Sequence, residues 1–117
     1  MRNVKFAEFL LCNDAQVNAR DNAGSTALIG SGDVEMTQLL LKYGADASLR
    51  NNDGRTALIA AAEHRDPYSA ELLIKRGIDV NVKTAEGDTA LKIAIRNGDA
   101  ATGELLRKAG ARLKGFR

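Results

Sequence analysis

DGRTALIAAA, residues 53–62, is one of three variants of a short phrase that recurs along this chain. The other two are AGSTALI at residues 23–29 and EGDTALK at residues 86–92. Each copy has a glycine, one variable residue and Thr-Ala-Leu, and a leucine pair and another glycine follow after a gap. Spaced copies of one phrase are typical of a solenoid, because each unit can bury its apolar face only against the next.

The repeat period is 33 residues, measured from Gly54 to Gly87. Two further sets of residues keep this period: Gly44, Gly77 and Gly110, and Leu39, Leu72 and Leu105. Every unit has a polar tip, a short helix opened by Thr-Ala-Leu, a turn carrying Asp, and a second helix ending in Leu-Leu. The sequence therefore predicts a stack of helix pairs.

The turns around each second helix carry the residue types that such turns require. Asp33, Asp66 and Asp99 precede these helices, where a carboxylate can accept from backbone N–H groups that lack a helical partner. Pro67 stands at a first helical position, where its missing N–H does no harm. The closing glycines stand where the chain must enter a left-handed conformation.

This pattern resembles the ankyrin repeat, whose consensus reads roughly D-x-x-G-x-T-P-L-H-x-A-A, a turn, and L-L-x-x-x-G-A-D-V-N. The matching residues of the third unit are Gly54, Thr56, Leu58, Ala61, Ala62, Leu72, Leu73, Gly77, Asp79, Val80 and Asn81. The resemblance covers essentially the whole chain. It implies that the hydroxyls of Thr26, Thr56 and Thr89 stabilise the turn from each tip into the first helix.

Three departures from the consensus recur in this chain. Alanine replaces the proline after each of those threonines, and the consensus histidine is Ile29, Ile59 or Lys92. We therefore expect the Thr–His hydrogen bonding of the consensus to be absent. The glycine before the second helix is Arg65 in the third unit.

The fold that the resemblance implies is all-α, an ankyrin-repeat solenoid of stacked antiparallel helix pairs with β-hairpin or loop tips. We expect about three and a half repeats in a single domain spanning residues 1–117. The expected boundaries are 1–20 for a partial first repeat with a second helix only, 21–50 for a shortened repeat, 51–83 for a full repeat and 84–117 for a C-terminal capping repeat.

The first repeat leaves an apolar helix face without a preceding helix to cover it. Val4, Phe6 and Phe9 lie on this face. One explanation is a trimmed or worn-down terminal repeat. The other is a structural role, in which the face packs against another chain or a second copy. The protein would then be a dimer rather than a monomer.

The second repeat is three residues short, because Gly24 and Gly54 are only 30 residues apart. The shortfall lies between Ile29 and Gly32, so we expect a first helix of little more than one turn. Either the protein carries a deletion here, or three residues of a loop are missing from this sequence.

The last repeat is interpreted as a cap. Its second helix carries Thr102, Gly103 and Arg107, which we assign to the polar outer face that a terminal repeat needs for solubility. We interpret the basic residues at this end of the chain as interacting with a helix C-terminus and with solvent. The alternative is a patch that binds phosphate or an acidic partner.

Composition excludes several classes of function. The net charge of +2 gives no global field toward nucleic acid or a membrane surface. The aromatic content of 4%, with no Trp, argues against base stacking and against an aromatic ligand pocket. No apolar run approaches the roughly 20 residues that cross a bilayer. The single cysteine, Cys12, favours the cytoplasm, with the nucleus or a place in a larger or secreted protein as alternatives.

Catalytic and metal-binding patterns are missing from the sequence. His64 is the one histidine, so no His pair can bind a metal or relay protons. No P-loop, G-x-G-x-x-G, G-x-S-x-G or Cys-x-x-Cys motif occurs. We therefore expect no enzyme activity, no cofactor and no metal.

The resemblance instead implies a protein–protein interaction module, used as an adaptor, inhibitor or recognition arm. In the family, partner contacts cluster at the tips and on the exposed groove side of the first helix. Carried over by position, the predicted partner-binding residues are Arg50, Asn52, Asp53, Arg55, Glu63, His64, Lys83, Glu86, Asp88, Arg96 and Asn97, with Arg20, Asn22 and Ser25 in the second repeat.

Overall fold

The computed structural model describes residues 16–30 and 33–111. Five α-helices occur in these ranges: α1 Val34–Lys42, α2 Ala57–Glu63, α3 Pro67–Lys75, α4 Ala90–Arg96 and α5 Ala100–Lys108. The same residues contain no β-strand, so their tips are loops. The extents of 47 × 25 × 24 Å are those of an elongated stack. The predicted all-α repeat architecture is confirmed.

The second helices α1, α3 and α5 each follow an N-cap aspartate and are followed, two residues after their last residue, by a glycine, as the sequence predicts. The N-cap carboxylates of Asp33, Asp66 and Asp99 accept from the backbone N–H of Met36, Ser69 and Thr102 at 2.9, 3.1 and 3.2 Å. Pro67 is the first residue of α3. After these helices the chain turns at Gly44, Gly77 and Gly110, with φ of +89°, +75° and +100°.

The first helices α2 and α4 are opened by threonine. The hydroxyl oxygens of Thr56 and Thr89 accept from the N–H groups of Ile59 and Lys92 at 3.3 and 3.2 Å. These bonds satisfy donors that a helix N-terminus leaves free. The Thr hydroxyl therefore caps each first helix, which agrees with the role that the resemblance implies.

The helices form two layers. The inner layer holds α2 and α4 side by side, and the outer layer holds α1, α3 and α5 in a row. Within a repeat, α2 packs on α3 and α4 packs on α5. The side chains between the layers are at most 2% exposed: Leu58, Ile59, Leu73, Leu91 and Leu106. Burying each one contributes about 1.5–3 kcal/mol, so stacking is the main source of stability.

Helix α2 ends in a turn that places an arginine in a left-handed conformation. The N–H of Asp66 donates to the carbonyl of Ala61, and the N–H of Arg65 donates to Ala62. Arg65 has φ of +55°, and no other non-glycine residue in the described ranges has a positive φ. The equivalent residue of the fourth repeat is Gly98, at φ +68°. Arg65 thus keeps the turn of the repeat at a steric cost.

The second repeat has a turn at residues 27–30 where the later repeats have an α-helix. The N–H of Gly30 donates to the carbonyl of Thr26 at 3.2 Å, which is a single helical bond. Leu28 and Ile29 are nevertheless buried, so this turn still contributes to the core. Residues 31 and 32, which connect this turn to Asp33, lie outside the described residues. Both explanations of the three-residue shortfall therefore remain predictions.

The assignment of Thr102 and Gly103 to a polar outer face is wrong. Both residues are buried in α5, and only Arg107 of the three is exposed. The hydroxyl of Thr102 donates to the carboxylate of Asp99 at 2.6 Å, so a polar side chain is satisfied inside the stack. Ser69 makes the same 2.6 Å bond to Asp66 in the third repeat.

Some predictions fall on parts of the chain that are not described. These are the apolar face at Val4, Phe6 and Phe9, and the basic residues Arg112, Lys114 and Arg117. Self-association through the N-terminal helix therefore stays a prediction. Among the described helices, none combines the length and hydropathy needed to span a membrane.

Candidate functional site

The tip loops project from the inner-helix side of the stack, and one polar side chain holds each loop in shape. In the third repeat the Asn51 side-chain oxygen accepts from the N–H groups of Asp53 and Arg55 at 2.9 and 3.0 Å. Asp21 and Thr84 accept in the same way one repeat before and one repeat after. These three residues were not selected from the sequence, although each stands three residues before a tip glycine, and that shared position could have revealed them.

Neighbouring tips are linked by backbone hydrogen bonds. The N–H of Asn52 donates to Ala23, and the N–H of Ala85 donates to Asp53, each at 2.9 Å. The tips approach so closely that a Cβ atom on Gly54 would lie 3.0 Å from the Ala85 nitrogen. The tips therefore form a continuous edge, and their surface residues are held in a fixed register.

Two predicted partner-binding arginines take part in this edge. An Nη atom of Arg20 donates to the carbonyl of Arg50 at 2.8 Å. Arg50 in turn donates to the carbonyls of Gly54 and Lys83, at 3.2 and 2.6 Å. These guanidinium groups therefore bridge one tip to the next. This structural role was not predicted from the sequence.

In the third repeat, acidic side chains surround a single cation. The Nε atom of Arg55 lies 3.1 and 2.9 Å from the two carboxylate oxygens of Glu63. Its Nη1 atom is 3.7 Å from Asp53. The hydrogen bond to Glu63, together with the charges of Glu63, Asp53 and Glu86, raises the pKa of Arg55. We call this group, Asp53, Arg55, Glu63 and Glu86, the Arg55 cluster.

In the fourth repeat, basic side chains surround a single carboxylate. Oδ1 of Asp88 lies 3.0 Å from Nη2 of Arg96 and 3.4 Å from Nζ of Lys92. The hydrogen bond from Arg96, with a further contribution from Lys92, lowers the pKa of Asp88. We call these three residues the Asp88 cluster. Lys92 was not among the predicted site residues, although its four-residue spacing from Asp88 is typical of a helical ion pair.

The two clusters occupy equivalent positions and have opposite polarity. Arg55 and Asp88 both follow the tip glycine, and Glu63 and Arg96 both end the inner helix, 33 residues apart in each case. Each repeat thus ties its tip to its inner helix by an ion pair. The pair runs from base to acid in the third repeat and from acid to base in the fourth.

A shallow notch of about 300 Å³ lies between the third and fourth tips. It is lined by Asp53, Arg55, Ala85 and Glu86. The lining is mostly polar and charged, so the notch suits a charged or hydrogen-bonding side chain better than an apolar ligand.

The remaining predicted residues flank these clusters. His64 and Asn97 are the C-caps of α2 and α4, and the Asn97 amide donates to the carbonyl of Ala62 at 3.4 Å. Asn52 donates to the carbonyl of Asn22 at 3.3 Å, while Lys83 is exposed on its tip. Asn51 also reaches the hydroxyl of Ser25. The structure thus brings the predicted residues together along one side of the stack.

The chemistry of this surface is that of recognition by charge and hydrogen bonding. Within the described ranges, no group of three His, Cys, Asp or Glu side chains could hold a metal ion. Within each cluster the central charge is paired: Arg55 with Glu63 and Asp53, and Asp88 with Arg96 and Lys92. Such pairs present ordered charges without a deep cavity.

Comparison with known families places these features in context. A family model described as "Ankyrin repeats (3 copies)" matches residues 1–84 and again residues 27–115. A comparison with curated proteins gave no match.

Proposed function

We propose that this chain, which belongs to the ankyrin repeat family, is a non-enzymatic module that binds a partner protein through its tip loops and inner helices. Ankyrin repeats are generally protein–protein interaction modules, and the family is typically non-enzymatic. The proposal assigns the general property of the family to one side of this particular stack.

The single observation that carries the assignment is the position of the Arg55 and Asp88 clusters. Both lie on the edge formed by the tips and the C-terminal ends of α2 and α4. The pairing fixes their rotamers, so a partner meets charges that are already ordered and loses less side-chain entropy on binding.

The composition of this surface indicates the type of interface. Among the described residues, Tyr68 on α3 and Ile95 on α4 are the only large exposed apolar side chains. An interface at the tips would therefore be polar and hydrated, and charge complementarity would set its specificity and its rate of association. A role as adaptor, inhibitor or recognition arm fits such an interface.

The test begins with affinity capture from the source cells and identification of the captured protein. Binding of the purified partner is then measured against two double variants. Lys92→Gln with Arg96→Gln removes two cations from the Asp88 cluster. Lys75→Gln with Arg76→Gln removes two cations from the end of α3, in the outer layer, and serves as the matched control.

We expect the first variant to weaken binding and the second to leave it unchanged. Each variant also loses one basic residue from the last turn of a helix, so the lost interaction with a helix C-terminus is matched. Equal affinity of both variants and the unmodified chain would reject the assignment to the tips and inner helices.

A further inference from the structure

The more exposed member of each ion pair lies on the inner helix. Glu63 is 32% exposed against 27% for Arg55, and Arg96 is 57% exposed against 16% for Asp88. A segment that crosses the inner helices from the third repeat to the fourth therefore meets an acid first and a base second. Lys92, at 55% exposure, adds to the positive charge of the fourth repeat.

The spacing between the backbone positions of Glu63 and Arg96 follows from helix packing. Glu63 and Arg96 are the last residues of α2 and α4, which pack side by side. The axes of packed helices are about 8–10 Å apart. Equivalent residues on the two helices are separated by about the same distance.

Few backbone conformations place two side chains on one face at this separation. In a β-strand, same-face residues two apart span about 7 Å and those four apart about 13 Å. In a polyproline II segment, residues three apart lie on one face and span about 9 Å. An α-helix reaches about 10 Å with residues seven apart, but a helix lying in a groove is held mainly by apolar anchors.

We propose that the segment bound at this surface is an extended polyproline II peptide with a basic residue opposite Glu63 and an acidic residue, three positions away, opposite Arg96. This inference rests on the proposed function and names the chemistry of the partner. The scarcity of large apolar side chains on the described surface supports an extended peptide over an amphipathic helix.

The chain itself provides a matched variant, because its two ion pairs occupy equivalent positions. The substitutions Arg55→Asp, Glu63→Arg, Asp88→Arg and Arg96→Glu exchange the pairs between the repeats. Each internal pair is kept, and the net charge of the protein does not change. Both the exchanged protein and its reference carry Lys92→Gln, so that position 96 holds the one charge on α4 in each.

The probe is a displayed library of random peptides, selected on the unmodified chain. We expect the selected peptides to share a basic and an acidic residue three positions apart. A selected peptide should then bind the exchanged protein about tenfold more weakly than the reference, because two attractive contacts become repulsive. The same peptide with its two charged residues interchanged should show the opposite preference, since its other residues fix its direction.

Three results would overturn the inference. They are selected peptides without this charge pattern, peptides whose charges are seven residues apart, and equal binding to the exchanged and reference proteins. In all three cases peptides still bind, and the partner measurement described above decides the proposed function. If selection yields no binder, the extended-peptide inference fails, and the partner measurement described above decides the proposed function.

The exchanged protein is checked by its thermal unfolding. If it does not fold, the Lys92→Gln, Arg96→Gln protein replaces it. Binding to that protein should no longer depend on the acidic residue of the selected peptide, and it should still depend on the basic residue. Loss of both preferences, or of neither, would contradict the inference.

Discussion

The Nε atom of Arg55 lies 2.9 Å from Oε2 of Glu63, and this ion pair ties a tip loop to the end of an inner helix. One repeat further on, the equivalent positions hold Asp88 and Arg96, with 3.0 Å between Oδ1 and Nη2. The third and fourth repeats therefore each have the same link between tip and inner helix, with the positions of the acid and the base exchanged. Since the scaffold accepts either order, the order of charges can vary to suit a partner.

The structure predicts that the third repeat will tolerate the polarity of the fourth. Glu63→Arg alone places two guanidinium groups together and should lower the free energy of unfolding by about 0.5–1 kcal/mol. Adding Arg55→Asp should restore most of that loss. Urea unfolding of both variants measures the effect. A double variant that is no more stable than the single one would show that the two repeats are not interchangeable here.

The Asp88 pair should make stability depend on pH. The hydrogen bond from Arg96, together with Lys92, holds the pKa of Asp88 below its ordinary value of 3.8. The ionised form is favoured in the folded state, so this stabilisation is present above pH 3.8 and is lost as the pH falls through the lowered pKa. Asp88→Asn should destabilise the protein at neutral pH, and the difference from the unmodified chain should vanish in acid.

Unfolding curves measured at a series of pH values test this dependence. High salt should reduce the difference at neutral pH, because the charges of Lys92 and Arg96 are exposed and therefore screened. A difference between Asp88→Asn and the unmodified chain that stayed constant from neutral pH into acid would contradict the ion-pair explanation.

Tip glycines should differ in importance according to what lies next to them. Gly54 and Gly87 both have a positive φ, of +80° and +87°, so alanine is strained at either site by about 1–2 kcal/mol. At Gly54 a Cβ would also lie 3.0 Å from the Ala85 nitrogen, whereas no described atom lies within 4 Å of one at Gly87. Gly54→Ala should therefore destabilise the stack more than Gly87→Ala. Equal losses in the free energy of unfolding of the two variants, measured in urea, would argue against close packing of the tips.

Arg65 offers a stabilising substitution. Its φ of +55° is unfavourable for any side chain with a Cβ, and the fourth repeat has Gly98 at the same position. Arg65→Gly should raise the free energy of unfolding by up to about 1 kcal/mol, since relief of the strain exceeds the added entropy of the unfolded chain. Arg76→Gly is the control, because Arg76 has φ of −80° and should gain nothing. A loss of stability in both Arg65→Gly and Arg76→Gly would contradict the inference that Arg65 is strained.

The parts of the fold that depend on short-range pattern were predictable from the sequence. Asp66 before Pro67 and Gly77 after the leucine pair each act within one turn of the chain, and the structure has them as the N-cap, the first helical residue and the closing turn. The 33-residue period supplied the stacking order, because identical units must bury identical faces.

The ion pairs Arg55–Glu63 and Asp88–Arg96 could not be predicted, because they join residues that meet only after the tip has folded back on its helix. Arg55 and Glu63 are eight residues apart, which is too far for direct contact within a regular helix or strand. Arg50 was assigned to partner binding by its position in the tip, and nothing in the sequence shows that its guanidinium reaches the carbonyl of Lys83.

Thr102 was misplaced for a different reason. Its polarity suggested solvent exposure, but the N-cap Asp99 accepts its hydroxyl and removes the cost of burial. The equivalent Ser69, a small hydroxyl residue three positions after an N-cap aspartate, was the available signal. Comparing repeats position by position would have found it.

The most direct test of the central claim is NMR mapping of the bound partner on the nitrogen-labelled chain. Partner binding through the tips and inner helices predicts that amide signals shift in residues 51–55 and 84–88 and at the ends of α2 and α4. Signals of the outer helices α1, α3 and α5 should stay in place. Shifts confined to the outer helices, with the signals of Arg55 and Asp88 unmoved at saturation, would contradict the account.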